Sequence, residues 1–185
     1  MHEMQDRTGR SCGSCSLCCK LLAIEGVDER PGFTWCRHCR PGKGGCTIYD
    51  RRPGACRNFV CGWLSGALDE VLDRERWHPA KARMMLTAEA VEGQVHVVVH
   101  VDPSFPERWR EASYSADIRR LAAAIPQAQR LFVRIGYRLF EISETGELDH
   151  GDVPMAGWTD QKNARIAGSF QRTGEGFVRK AATSS

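Results

Sequence analysis

The sequence predicts an α+β protein in two unequal parts. A loop-rich, cysteine-dense module with short helices comes first. A small antiparallel sheet in the order β-β-α-β-β, with one covering helix, follows it. Three observations predict this. All nine cysteines lie between Cys12 and Cys61. Residues 12–61 are broken by Pro31, Pro41, Pro53 and seven glycines, so they hold little periodic apolar content. Beyond residue 79 the pattern changes to short alternating runs around one helical stretch. The expected divisions are 1–78 for the cysteine region, 79–149 for the sheet region and 150–185 for a loosely ordered tail.

In chain order, Leu17–Ile24 and Asn58–Leu64 have the length and composition of short helical turns. Trp63–Asp73 reads as a helix, because Leu64, Leu68, Val71 and Leu72 recur three and four residues apart. Trp77-His78-Pro79 ends it. Arg83–Ala90 and Gln94–Val101 flank Glu92-Gly93 and read as a β-hairpin. In the second strand Val95, Val97, Val99 and Val101 form an apolar face. His96, Val98 and His100 form a mixed one, read as a wet face with two exposed histidines. Pro106 can open a helix. Glu107–Ala112 and Ala116–Ile125 read as helical, and Pro126 stops the second. Arg130–Ile135 and Tyr137–Ser143 read as two further strands around Gly136.

Composition excludes several classes. Apolar residues are 42% and charged residues 26%, which argues against global disorder. No run approaches the length of a membrane span. The opening MHEMQDRTGR is polar and carries no secretory pattern, so a cytoplasmic location is expected. Such a compartment keeps thiols reduced. The cysteine count is odd, so pairing within one chain cannot be complete. Adjacent Cys18 and Cys19 also suit two structural disulfides poorly. Metal ligation is the better reading of the cluster.

Charge agrees. Residues 1–62 hold ten Lys/Arg and six Asp/Glu, an excess of four positive charges, whereas residues 63–185 hold sixteen and seventeen. Eight thiolates around two divalent ions would leave four negative charges, which that excess offsets. Arg10, Lys20, Arg37, Arg40, Arg51, Arg52 and Arg57 are placed along the chain to do so, and they favour the thiolate form. A basic bias also fits a zinc-ribbon-like nucleic-acid binder. Charge compensation explains the bias already, and no interleaved aromatic and basic strand pattern is present.

The candidate ligands are Cys12, Cys15, Cys18, Cys19, Cys36, Cys39, Cys46, Cys56 and Cys61. The first four form C-x-x-C-x-x-C-C, which lets a short loop aim several sulfurs at one point. Thiolate softness favours zinc or iron, including an iron–sulfur cluster, over calcium or magnesium. His38, inside Cys36-Arg-His-Cys39, is read as a bystander. Tyr49, Phe59 and Trp63 are read as a small apolar lid. Arg57 is placed to hydrogen-bond the sulfurs, unless it and Arg52 pair with Asp50. No G-x-S-x-G, phosphate-loop or H-E-x-x-H signature occurs, and the GKGG at 42–45 reads as a turn. No reaction is assigned from the residues.

CGSCSLCCK at 12–20, with Cys46-Thr-Ile-Tyr49-Asp50-Arg-Arg52-Pro53 and Cys56-Arg57-Asn-Phe59-Val-Cys61, resembles the CxxCxxCC family of zinc- or iron-chelating cysteine-cluster domains, the YkgJ type. The resemblance covers residues 12–64, and WHPAKARMM at 77–85 looks similar to family sequence. It implies eight ligands: Cys12, Cys15, Cys18, Cys19, Cys46, Cys56, Cys61 and one of Cys36 or Cys39, with Cys36 favoured. A domain distantly similar to this family occurs in flagellin lysine methylases that resemble iron–sulfur enzymes. That similarity keeps an iron–sulfur redox or electron-transfer role beside simple metal holding.

Overall fold

Strand formation follows the β-branched run. A computed structural model describes residues 9–23, 32–42, 45–91, 94–153, 170–173 and 176–179. In it β1 (Met84–Val91) and β2 (Gln94–Val101) pair antiparallel, with Met84 opposite Val101. After β2, a 3-10 turn at Arg108–Arg110 buries its central Trp109, and a thirteen-residue helix runs over Ala112–Ala124. That helix ends where Ile125 turns extended, the backbone that a residue before proline prefers. The chain then enters β3 (Leu131–Ile135), turns at Gly136 (φ +61°) into β4 (Arg138–Ile142), and continues into β5 (Glu147–Asp152).

The sheet has five strands in sequence order. It is mixed, which corrects the antiparallel expectation: β2 and β3 run parallel, Val97 opposite Leu131 through Val101 opposite Ile135. The helix between them carries the chain back to the end where β2 began, and such a crossover is what a parallel pair needs. The fifth strand was not expected. It crosses the division placed at residue 149. Further on, β6 (Phe170–Thr173) pairs with β7 (Gly176–Arg179) in a separate two-stranded sheet. The architecture is mixed α+β.

One face of the sheet packs on the long helix. Met84, Leu86 and Ala88 of β1, Val97, Val99 and Val101 of β2, and Leu131 and Val133 of β3 meet Tyr114, Ile118 and Leu121. Asp117 fixes the helix in place. Its Oδ2 accepts from the Trp77 indole at 2.7 Å and from Arg76 at 2.6 Å. Burial alone would raise the Asp117 carboxyl; these two donors and Arg120 hold it below its ordinary range. Trp77, Leu68 and Leu72 belong to the same core. Residues assigned by sequence to the end of the cysteine region thus help to build the sheet's core.

The other face is buried too, against the expectation of wet histidines. His96 is 6% exposed and His100 is fully buried. Met85 of β1 packs with Leu17, Leu21, Leu22, Cys61 and Leu64 from the cysteine-bearing chain. Phe33 places its ring 6.4 Å from that of His100. Val98, Phe132 and Leu139 pack beside them with Val153. Alternation correctly put the histidines opposite the valines, but it carried no information about what covers the second face.

Buried polar groups on this face are bonded to one another. Glu89 Oε1 lies 2.5 Å from His100 Nε2 and 2.8 Å from Thr87 Oγ1. His96 Nδ1 accepts from the Arg130 amide at 3.1 Å. Among the described residues, no helix is long and apolar enough to cross a membrane.

Candidate metal centre

Each cysteine-bearing segment is a tight turn whose geometry follows from its spacing. In C-x-x-C the second amide reaches back to the first carbonyl: Cys15 N–H bonds Cys12 O at 2.8 Å, and Cys39 N–H bonds Cys36 O at 2.9 Å. Gly13 (φ +50°) takes the left-handed backbone that the first of these turns needs. A four-residue helix, Cys18–Leu21, then presents Cys18 and Cys19 while burying Leu21. After the second turn Cys39 pairs with Cys46 across an isolated antiparallel bridge. Arg40 N–H to Gly45 O and Thr47 N–H to His38 O complete that ribbon. Gly45 at φ +105° closes it. Past Pro53, a one-turn helix (Gly54–Asn58) carries Cys56. Cys61 sits at the N-cap of the next one, Gly62–Ser65.

Long-range bonds draw these turns together and fix them to the sheet. Cys36 N–H donates to Cys19 O at 2.9 Å and Phe33 N–H to Leu21 O at 3.4 Å. Lys20 Nζ, only 11% exposed, lies 2.5 Å from Asp102 Oδ1 at the end of β2 and 2.8 Å from Ser104 Oγ. Buried Arg10 bonds Asp69 and the Trp63 carbonyl, and it covers the Trp63 ring. The N-terminal cysteine loop is therefore held at both ends.

All nine candidate residues lie among the described residues, and no disulfide joins any of them. They fall into two groups. Cys15, Cys18 and Cys61 share the apolar cluster of Leu17, Leu21 and Leu64. Cys12 is electrostatically coupled to Cys15, Cys18 and Cys61. On the other side Cys36, Cys39 and Cys46 are joined through the turn and the bridge, and Cys56 is coupled to Cys36 and Cys46. Cys19 stands between them. Its carbonyl accepts from the Cys36 amide, and its thiol helps to raise both Cys18 and Cys39.

The thiols resist ionisation in this arrangement. Burial, followed by neighbouring sulfur charge, pushes Cys56 up to about 11. Burial lifts Cys39 to about 11 and Cys61 to about 12. The hydrogen bond to Cys19, then burial, raises Cys18 well above the ordinary thiol value. Cys12 and Cys15 are raised by burial, Cys12 also by the charge of Cys15. Opposing groups are already aimed at the sulfurs. Cys15 Sγ accepts from the Leu17 and Ala80 amides, and Arg83 lies nearby. The Leu64 and Trp63 amides of the helix that follows act against the rise at Cys61, although its side chain makes no capping hydrogen bond. Arg52 is close to Cys12 and Cys56.

Among the described residues, no three His, Cys, Asp or Glu side chains are arranged as they stand to hold a metal ion. Thiolate sulfur is by its chemistry a soft donor. Burial, then neighbouring sulfur charge, raises most of these thiols, and nearby arginines oppose it at Cys12, Cys15 and Cys56.

Sequence reasoning missed Ala80, Arg83 and Ser16. A backbone amide leaves no residue-type signature, and 77–85 contains no cysteine to draw attention to it. Arg83 reaches the site from a left-handed backbone (φ +58°) at the end of the Pro79–Ala82 turn. Ser16 hydrogen-bonds Cys39. Arg57 is exposed, and it is Arg52 that approaches the sulfurs. Arg52 also stacks on Tyr49 with its guanidinium carbon 3.5 Å from the ring centre. Tyr49 is exposed and makes no lid, whereas Phe59 and Trp63 pack against Leu17, Leu21 and Leu64. His38 Nδ1 lies 3.4 Å from Thr47 Oγ1. Comparison with protein-family models, with curated proteins and with solved structures finds no match to this chain.

Proposed function

We propose that this chain is a metal-binding protein that holds zinc or iron through the sulfurs of Cys12–Cys61. One observation carries the reading: nine undisulfided cysteines lie in segments that the Cys36 N–H to Cys19 O bond and the Cys39–Cys46 bridge tie together. A segment this rich in glycine and poor in apolar side chains gains order from ligation, because binding and folding are coupled when the ligands come from separate turns. Groups of four sulfurs fit tetrahedral ions. The resemblance to cysteine-cluster chelating domains points the same way. A cytoplasmic, reducing setting fits cysteines kept as thiols.

A second reading, an iron–sulfur centre with a redox or electron-transfer role, is favoured by the Leu17 and Ala80 amides beside Cys15, since hydrogen bonds to sulfur tune cluster potentials. Visible absorption separates the two. Colourless protein with stoichiometric zinc supports a mononuclear site. Broad absorption with stoichiometric iron and sulfide supports a cluster.

The raised thiols supply the test of the metal reading. They hold their protons at neutral pH, so an incoming ion must displace them. Zinc added to the reduced, metal-free chain in weak buffer is expected to release about one proton per coordinating sulfur. Retention of zinc is expected to weaken steadily as pH falls, because more thiols must then be deprotonated. An indicator dye and a zinc-competing chelator read both effects. Zinc uptake without proton release would rule out thiol ligation.

A further inference from the structure

Cys39 and Cys46 stand directly opposite each other in the isolated antiparallel bridge. The hydrogen bonds around them define which kind of position this is. They run between the flanking residues, Arg40 N–H to Gly45 O at 3.2 Å and Thr47 N–H to His38 O at 2.8 Å. That pattern marks the non-hydrogen-bonded position of an antiparallel ladder, where opposite Cα atoms approach to about 4.5 Å and side chains lie closest. The two side chains leave the ribbon on the same face. A disulfide joins residues whose Cα atoms are about 4.4–6.8 Å apart. The pair therefore lies within bonding range with no change of register. Both thiols are free and half-buried, open to a small oxidant. Cys36, the rival partner for Cys39, is buried. It also lies across an i to i+3 turn, whose ends stand up to about 7 Å apart.

We propose that Cys39 and Cys46 form a redox pair, closed to a disulfide by a peroxide and reopened by a small thiol. The inference stands on backbone register and goes beyond the metal-binding reading, since it needs no ion. The chemistry has two steps. One thiol, as its thiolate, attacks the O–O bond of hydrogen peroxide, which leaves a sulfenic acid and hydroxide. The facing thiolate then attacks the oxidised sulfur. The S–S bond forms, the S–O bond breaks, and the oxygen departs as hydroxide. The two protons released by the thiols convert both hydroxides to water. Reduction by two equivalents of a small thiol returns both cysteines and yields that thiol's own disulfide. A transient bond of this kind is what a reducing compartment allows.

Peptide mapping tests the pair. Trypsin cuts after Lys20, Arg37, Lys43 and Arg51, while Arg30 and Arg40 each precede proline. Cys36, Cys39 and Cys46 thus fall on separate peptides, 21–37, 38–43 and 44–51. The full chain is reduced and desalted with a chelator present, which keeps the thiols open whether or not the purified chain carries metal. It is treated with one equivalent of hydrogen peroxide, and the remaining thiols are alkylated. The expected chief product is peptide 38–43 joined to 44–51, lighter than the two together by two hydrogens and separated again by dithiothreitol. In urea, where the register is lost, the pairing is expected to scatter and Cys36–Cys39 to gain. Cys39 joined chiefly to Cys36 in the folded chain would overturn the pair. So would Cys39 and Cys46 both found alkylated after the peroxide is consumed, or an equal yield in urea. None of these outcomes bears on zinc uptake, which is read separately on the untreated chain.

Discussion

Cys15→Ser and Cys56→Ser are each expected to lose bound metal and to unfold much of residues 9–62, while the sheet and its long helix persist. The two residues are chosen from different sulfur groups. Cys15 packs with Cys18 and Cys61 around Leu17 and Leu21, and Cys56 belongs with Cys36 and Cys46. The magnitude follows from comparing two energies. Structural zinc in small cysteine-rich modules contributes about 10–16 kcal/mol at neutral pH, whereas a whole domain is stable by roughly 5–15 kcal/mol. A serine oxygen is a poor substitute for a thiolate on a soft ion. The sheet survives because its core does not depend on the sulfurs: Val97, Val99, Leu131 and Val133 close on Ile118 and Leu121. Metal content and circular dichroism of both variants check this. Full metal content in both would refute the assignment of these two ligands.

Glu89→Ala is expected to destabilise the protein by about 3–5 kcal/mol, the usual effect of removing one partner from a buried ionic pair. His100 is fully buried on β2, and its Nε2 lies 2.5 Å from the Glu89 carboxylate. Thr87 bonds the same oxygen. Without that acceptor, the two buried donors keep only each other, His100 Nε2 lying 3.1 Å from Thr87 Oγ1. Burial alone would raise the Glu89 carboxyl, but the His100 charge, the two hydrogen bonds and the Arg134 guanidinium together lower it. The sign of the pH effect follows. A depressed carboxyl gives stability that is fully present above the unfolded value of about 4.3. That stability is lost as pH falls through the lower folded value. Glu89→Gln keeps an oxygen acceptor for Thr87 and is expected to cost less. Urea denaturation at neutral and acid pH measures both variants. Unchanged stability in Glu89→Ala would show that the pair holds nothing together.

Legibility in the sequence varied with the physical source of each signal. Alternating valines located Gln94–Val101 residue for residue, because strand periodicity and β-branched preference coincide there. The helix read over Trp63–Asp73 ends at Ser65. Gly66 takes the left-handed backbone (φ +68°) that terminates helices, and Leu68 and Leu72 reach the core from turns. Spacing of three and four marked the burial correctly and the backbone wrongly. The strand Glu147–Asp152 left no signal, since apart from Leu148 and Gly151 its residues are polar, and most are exposed at the edge of the sheet. Parallel pairing of β2 with β3 depends on where the intervening helix returns the chain, which no local pattern records. At the candidate centre the sulfurs were legible by residue type. The backbone tie of Cys19 to Cys36 was not, and neither was the approach of the Ala80 amide and Arg83 to Cys15, because those depend on tertiary structure.

Native mass spectrometry of the full chain, purified without oxygen, addresses the central claim most directly. The expected result is a folded species heavier than the bare chain by bound zinc or iron, with the excess mass lost on acidification and all nine thiols then open to alkylation. A folded species at the bare mass would contradict the account.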